Sequence, residues 1–199
     1  MTRLVFWYEF ASTYSYLSAM RIEALAGREG LEVVWRPFLL GPIFRDQGWE
    51  SSPFNEIAAK GTYMWRDMER LAEGHGLPPL VRPDPFPQHS LLAARIATIG
   101  TEEGWAPAFT RAVYQAEFAE GLQISDPAVL AGLLKGIGQD ASVVERAKTD
   151  QAMKDLLRTR TEEAIALGLF GAPSFVTEDG ELFWGDDRLE QAMAWAQKG

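Results

Sequence analysis

Ser12 stands at a junction that can stabilise a negative charge. The apolar run at residues 4–8 is typical of a buried strand, and the residues after Ser12 have helical spacing, so Ser12 is predicted to begin a helix. The unpaired N–H groups and the dipole of a helix N-terminus favour an anion. A serine hydroxyl at that place can donate a hydrogen bond to a thiolate and so lower the pKa of the thiol. The alternative is that Ser12 only caps the helix.

Any thiol at Ser12 must come from another molecule, because the chain has no cysteine. Disulfide exchange, zinc–thiolate sites and a cysteine nucleophile are excluded for the same reason. Ser12 has no histidine near it in sequence to act as its base, so it is not predicted to be a nucleophile. The two histidines, His75 and His89, stand apart, and no metal-ligand cluster or phosphate-binding loop is seen in the sequence.

A second candidate feature is Gly171-Ala172-Pro173-Ser174, which precedes a predicted short strand. Proline cannot donate to a strand ladder, so it is found at strand starts and edges. If the Ala172–Pro173 bond is cis, the backbone of Ala172 is free to pair with a peptide-like ligand as an added strand would. The alternative is an ordinary trans proline that begins an edge strand.

Charged and aromatic residues are candidates for holding the rest of such a ligand. Asp186 and Asp187 lie where the last predicted strand passes into the last helix, and a carboxylate there can bind an amino group or cap the helix. Lys60 is predicted to start a helix, where a cation opposes the dipole, so it is a candidate for binding a carboxylate or else a solvated surface residue. Arg36 is a further cation. Trp49 falls in a predicted loop from which it can cover a flat substrate.

The composition is that of a soluble globular protein. The 199 residues are 47% hydrophobic and carry a net charge of −9, which disfavours nucleic acid as a partner. No signal-peptide pattern and no apolar run long enough to span a membrane is seen, so we expect a cytoplasmic protein without a membrane partner.

The predicted order of elements is that of a thioredoxin-like α/β fold with a large helical insertion. Strand, helix and strand up to residue 38 form a βαβ unit, and two short strands around Asp179-Gly180 form a hairpin before a last helix. About a hundred residues of helical pattern lie between them. We therefore predict a thioredoxin-like domain from residues 1–44 and 155–199 and a helical insertion at 45–154, with residues 39–46 as a loop.

Several short motifs, in this order and spacing, resemble the 2-hydroxychromene-2-carboxylate isomerase family, which belongs to the DsbA-like and kappa-class glutathione transferase group. The resemblance covers nearly the whole chain. The motifs are Phe10-Ala11-Ser12-Thr13-Tyr14-Ser15-Tyr16-Leu17, Arg36-Pro37-Phe38-Leu39-Leu40-Gly41, Lys60-Gly61 with Tyr63, Asp67 and Arg70, Ser90-Leu91 with Ala93-Ala94-Arg95, Ile124-Ser125-Asp126-Pro127, Phe170-Gly171-Ala172-Pro173-Ser174-Phe175, and Phe183-Trp184-Gly185 with Asp187-Arg188-Leu189.

The resemblance implies a glutathione-dependent cis–trans isomerase of aromatic breakdown that works by thiolate addition, bond rotation and elimination. It implies these roles: Ser12 on the glutathione sulfur, Ala172 beside a cis Pro173 on the cysteinyl backbone, Asp186 and Asp187 on the γ-glutamyl end, and Lys60 on the glycine carboxylate. Substrate contacts are then expected from Trp49, Asn55 and Arg36. Members of the family are often dimers, so a homodimer is expected.

The chain departs from the family pattern at two places. Thr13 stands where the family usually has proline after the serine, and Gly48-Trp49 falls where many members have an asparagine, which Asn55 would replace from a shifted position. The substrate therefore stays open. A kappa-like glutathione transferase or peroxidase is the second hypothesis, and a non-catalytic DsbA-like module that binds peptides is the third.

Overall fold

The computed structural model describes residues 1–49 and 52–198. The chain begins with a βαβ unit made of β1 (Arg3–Tyr8), α1 (Thr13–Glu29) and β2 (Glu32–Pro37), and the two strands are parallel. Gly30 ends α1 in the left-handed conformation, with φ of 69°, which favours glycine because it has no Cβ. The unit places the carboxyl ends of β1 and β2 at one edge of the sheet.

Two further strands complete a four-stranded sheet in the order β2-β1-β3-β4. β3 (Ser174–Thr177) pairs antiparallel with β1, and β4 (Leu182–Trp184) pairs antiparallel with β3. β1 is thus an inner strand, in agreement with its nearly continuous apolar sequence. The predicted thioredoxin-like topology is confirmed.

The segment between β2 and β3 is helical, as predicted. Its helices are α2 (Leu40–Asp46), α3 (Pro53–Glu56), α4 (Ala58–Gly74), α5 (Leu91–Glu103), α6 (Ala106–Phe118), α7 (Pro127–Gly136), α8 (Val143–Thr149) and α9 (Gln151–Ala166). After β4 come a 3-10 turn (Asp186–Arg188) and α10 (Leu189–Ala196). A membrane-spanning helix is absent from the described part of the chain.

The prediction of a loop at 39–46 was wrong, because this segment contains α2. Pro42 lies in the first turn of α2, where its missing N–H is tolerated, and Leu40 and Ile43 are buried. The boundaries of the helical insertion at 45 and 154 stay a prediction. α9 begins at Gln151, just before the second of them.

The two faces of the sheet are buried in two separate apolar clusters. On one face Phe6, Tyr8 and Phe175 pack with α1, α10 and the helices α4–α8. On the other face Trp7 packs with Phe38, α2 and α9. Because successive side chains of a strand point to opposite faces, the aromatic run of β1 serves both clusters at once.

Candidate functional site

Ser12 is the N-cap of α1 and also reaches across the chain to the segment before β3. Its backbone is extended, with φ −87° and ψ 114°, and its Oγ accepts a hydrogen bond from the Ser15 N–H at 3.3 Å. The same hydroxyl donates to the carbonyl oxygen of Ala172 at 2.8 Å. The cap predicted from sequence is therefore present. The hydroxyl in addition lies against the second predicted feature, 160 residues away in the chain.

The Ala172–Pro173 peptide bond is cis. The Ser174 hydroxyl donates to the Gly171 carbonyl at 2.9 Å, and the Gly185 N–H donates to the Pro173 carbonyl at 3.0 Å, so the segment is held on both sides. Within the described residues no group accepts a hydrogen bond from the Ala172 N–H. Ala172 is half-buried and thus offers a backbone donor beside the start of α1.

The turn that carries Ser12 rests on a buried acid that our reading of the sequence missed. The Ala11 N–H donates to the Glu9 carboxylate at 2.9 Å, the Ser12 N–H donates to the Glu9 carbonyl at 3.0 Å, and the Ser90 hydroxyl contacts the other carboxylate oxygen. Burial raises the pKa of Glu9 from 4.5 to about 7, although the hydrogen bonds from Ser90 and Ala11 to the carboxylate oppose the shift. The available signal was an acid placed between Tyr8 and Phe10 in an otherwise apolar run.

Helix α4 forms a wall beside the start of α1. The Thr13 hydroxyl lies 3.3 Å from the Met64 sulfur, and the Tyr14 hydroxyl donates to the Asp67 carboxylate at 3.0 Å. Burial and then the charge of Asp67 raise the pKa of Tyr14, which keeps the phenol protonated. Lys60 is exposed one helical turn before Met64 and on the same face of α4, so α4 carries it toward this end of α1.

The two neighbouring aspartates have different surroundings. Asp186 is 4% exposed, and its carboxylate accepts from the Ser18 hydroxyl at 2.7 Å and from the Arg21 guanidinium at 3.1 Å. Asp187 is exposed and lies close enough to Tyr14 for its charge to raise the pKa of that phenol as well. The carboxylate that faces solvent near the start of α1 is therefore Asp187, while Asp186 ties the 3-10 turn to α1.

The three residues proposed for substrate contact come from three different parts of the fold: β2, the segment after α2, and α3. Arg36 packs over Trp7, 6.0 Å from the ring centroid, on the sheet face covered by α9. Trp49 follows α2 and is half-buried, and its backbone N–H donates to the Phe44 carbonyl at 2.8 Å. Asn55 donates to the Phe86 carbonyl at 3.2 Å. Its neighbour Phe54 packs against the Tyr14 ring at 6.2 Å, which places α3 beside the start of α1.

The site thus joins a hydroxyl at a helix N-terminus, a free backbone donor and exposed charges on two flanking elements. Such an arrangement can bind a small peptide-like molecule and stabilise an anion at Ser12. No group of three or more potential metal ligands occurs among the residues that the structure describes.

Comparison with known proteins shows the family to which the chain belongs. Residues 3–194 match the DSBA-like thioredoxin domain family. The chain is 30% identical to a 2-hydroxychromene-2-carboxylate isomerase of Sphingobium xenophagum over 193 residues, covering 96% of each protein. It is 25% identical to glutathione S-transferase kappa 2 of Caenorhabditis elegans over 202 residues, covering 94% of the chain and 88% of that protein.

A solved structure of a 2-hydroxychromene-2-carboxylate isomerase superposes on the chain with a TM-score of 0.87 and 26% identity, covering 98% of this chain and 95% of the other. Sequence and structure therefore agree over almost the full length of both proteins. The chain belongs to the DSBA-like thioredoxin domain family and, within it, to the 2-hydroxychromene-2-carboxylate isomerase family.

Proposed function

We propose that this protein is a glutathione-dependent cis–trans isomerase that acts on 2-hydroxychromene-2-carboxylate or a related intermediate of aromatic breakdown. Relatives named as isomerases support an enzyme with isomerase activity. The observation that carries the proposal is the hydrogen bond from Ser12 to Ala172 at the start of α1, in a chain without cysteine. A site built to stabilise a thiolate, but lacking a thiol of its own, needs one from a cofactor.

The described residues fit glutathione along its length. The Ala172 N–H, which has no described acceptor, suits the cysteinyl backbone and leaves the sulfur beside Ser12. Asp187 is exposed near Tyr14 and suits the γ-glutamyl amino group, with Asp186 fixing the turn beneath it. Lys60, exposed and without a described side-chain partner, suits the glycine carboxylate.

Bound glutathione would supply a thiolate that adds to the conjugated double bond of the substrate and leaves after rotation about the resulting single bond. Ser12 would donate a hydrogen bond to the sulfur when its hydroxyl turns away from Ala172, while its oxygen still accepts from Ser15. The N-terminus of α1 would stabilise the same charge. Tyr14 would stay neutral beside Asp67 and so add no negative charge to the site.

The experiment that tests the proposal is calorimetric titration of glutathione into the wild-type protein and into Ser12→Ala, with isomerisation of 2-hydroxychromene-2-carboxylate followed with and without glutathione. We expect saturable binding, proton release that depends on Ser12, and turnover only with glutathione. The matched control is Ser142→Ala, at the exposed N-cap position before α8, which should bind glutathione and turn over substrate as the wild type does. Absence of binding at millimolar glutathione would refute the cofactor and the residue roles together.

A kappa-class glutathione transferase or peroxidase is the second candidate, favoured by the similarity to glutathione S-transferase kappa 2. Conjugation of chlorodinitrobenzene distinguishes the two functions, because fast conjugation without isomerisation indicates a transferase. Binding of peptides but not of glutathione would instead indicate a module that pairs with peptides along Ala172.

The proposal includes the setting of the enzyme. The net charge of −9 disfavours nucleic acid as a partner. We propose that the protein is cytoplasmic, a compartment in which disulfides are rare and with which a chain without cysteine is compatible. A homodimer is expected because it is frequent in the family. Sedimentation at micromolar concentration, with and without glutathione, would reveal a monomer if that expectation is wrong.

A further inference from the structure

A cavity of about 400 Å³ lies between α2, α5 and α9, and none of the residues assigned above to glutathione lines it. This volume falls within the range of small-molecule sites, about 300–1,000 Å³. Its apolar lining comes from Leu39, Leu91, Leu157 and Ile165. Leu39 follows β2, and since β2 runs parallel to β1, Leu39 lies at the same edge of the sheet as Ser12.

Two cations line the cavity without a described partner. Arg95 on α5 and Lys154 on α9 are both half-buried, and neither side chain forms an ion pair or hydrogen bond with any residue that the structure describes. By contrast Arg158, in the same lining, pairs with Asp155 at 3.0 Å. Half-buried cations that find no partner in an acidic chain are suited to an anion from outside.

The charges of the lining limit the charge of that anion. Arg95, Lys154 and Arg158 stand against Asp155 and Glu162, which leaves one positive charge in excess. One negative charge neutralises this excess, whereas a dianion such as a phosphate ester would also be repelled by the two carboxylates. The nearby Thr161 hydroxyl accepts from Leu39 and donates to Leu157, so it is already engaged.

We propose that this cavity is a second binding site, separate from the thiol site, for a monocarboxylate with a compact apolar body. The carboxylate lies between the Arg95 guanidinium and the Lys154 ammonium, which bridge α5 and α9 through it. The apolar body contacts Leu39, Leu157 and Ile165. The inference does not depend on the proposed function, because it uses none of the residues that would bind glutathione.

The test is calorimetric titration of 1-naphthoate, and of the uncharged 1-naphthalenemethanol, into the wild type and into Arg95→Met and Lys154→Met. The control is Lys135→Met, an exposed lysine on α7. We expect one-to-one binding of 1-naphthoate that weakens at least tenfold in either variant, weakens with salt and is unchanged in the control. The uncharged compound should bind the wild type at least tenfold more weakly, a comparison that needs no variant.

Three results would overturn the inference. The first is that 1-naphthoate fails to bind the wild type at millimolar concentration. The second is that its binding survives both substitutions and so occurs elsewhere. The third is that inorganic phosphate binds as tightly as 1-naphthoate. Glutathione titrated into the same variants should give the wild-type affinity. This arm separates a failure of the second site from a failure of the proposed function.

Discussion

At the scale of single residues, Ser12 combines a structural role with a chemical one. A hydroxyl has one hydrogen and two acceptor positions, so Ser12 can cap α1 through its oxygen and at the same time donate a hydrogen bond to another group. In this structure the hydroxyl donates to the carbonyl oxygen of Ala172. The capping role and the proposed role on sulfur therefore use different parts of the same group and can be separated by mutation.

We predict that Ser12→Gly and Ser12→Ala differ in stability but not in activity. Loss of a serine N-cap costs about 0.5–2 kcal/mol with alanine and only a few tenths with glycine. Both variants lack the hydroxyl, so both should raise the pKa of bound glutathione thiol and lower turnover at neutral pH. Urea denaturation and a pH–rate profile measure the two effects. Equal turnover of glycine variant and wild type would show that the hydroxyl only caps the helix.

Removal of Arg21 from its ion pair with Asp186 is predicted to destabilise the fold strongly. Asp186 is 4% exposed, so Arg21→Met would leave a buried carboxylate without its arginine. The neighbours that remain are the Ser18 hydroxyl and the Nε2 of His75, 3.7 Å from the carboxylate. Breaking a buried pair in this way costs about 3–5 kcal/mol. Arg66→Met, which removes an exposed pair with Glu69, should change stability little, because solvent screens such a pair. Equal losses for the two variants in urea denaturation would contradict the prediction.

At the scale of elements, the contact between α3 and α4 depends on Gly61. A methyl group at this position would collide with the backbone carbonyl oxygen of Phe54, and a backbone atom cannot move without its helix. Phe54 in turn packs on Tyr14, so the collision would be transmitted to the start of α1. Lys60 is adjacent to Gly61 and would move with it.

We therefore expect Gly61→Ala to lower stability by about 1–3 kcal/mol and to weaken glutathione binding. The matched control is Gly74→Ala in the same helix, where a methyl group meets no atom within 4 Å. That substitution should be neutral or stabilising by up to about 1 kcal/mol. Thermal unfolding and calorimetry of the pair would refute the argument if both variants behaved alike.

The elements of the thioredoxin-like fold could be predicted because their signals are local. Helix caps at Ser12 and Asp126, the left-handed Gly30 and the Asp179-Gly180 turn are each readable within a few residues. α2 could not be predicted, because Gly41 and Pro42 usually indicate a loop. Its formation depends on burial of Leu40 and Ile43 against α9, a contact more than a hundred residues away in sequence.

The candidate site was predictable only in its parts. Ser12, Ala172 and Lys60 were identified from local patterns and family resemblance, and the structure brings Ser12 and Ala172 together. The different burial of Asp186 and Asp187 was not readable, since neighbouring residues of one type give the same sequence signal. Glu9 was missed because, although Ala11 is two residues away, its other partner Ser90 lies 81 residues away in the sequence.

At the scale of the whole molecule, buried acids should make stability depend on pH. The pKa of Glu9 is raised by burial to about 7, and that of Glu117 is raised by burial and by the charge of Glu9. The folded protein thus keeps protons that the unfolded chain releases above its ordinary carboxyl pKa. Both groups therefore act in the same direction. The stability that they contribute is fully present below their ordinary pKa of about 4.5 and is lost as the pH rises, in the case of Glu9 up to about pH 7.

We predict that the contribution of Glu9 falls by about 1.4 kcal/mol per pH unit between pH 5 and 7 and levels off above. Glu9→Gln should have a smaller slope, because it removes one of the protons that the folded state retains. Glu120→Gln, at an exposed position, should keep the wild-type slope. Urea denaturation at several pH values checks this, and parallel curves for wild type and Glu9→Gln would contradict it.

The position of β1 has a consequence for synthesis of the chain on the ribosome. β1 pairs with β2 on one side and with β3 on the other, yet β3 begins at Ser174, well over a hundred residues after β2 ends at Pro37. At about 5–20 residues per second, the second edge of this apolar strand waits roughly 7–30 s for its partner. During translation that edge can pair with other nascent chains, so the helices made in the interval must shield it. The hydroxyl of Ser12 likewise meets Ala172 only after a further 160 residues have been synthesised.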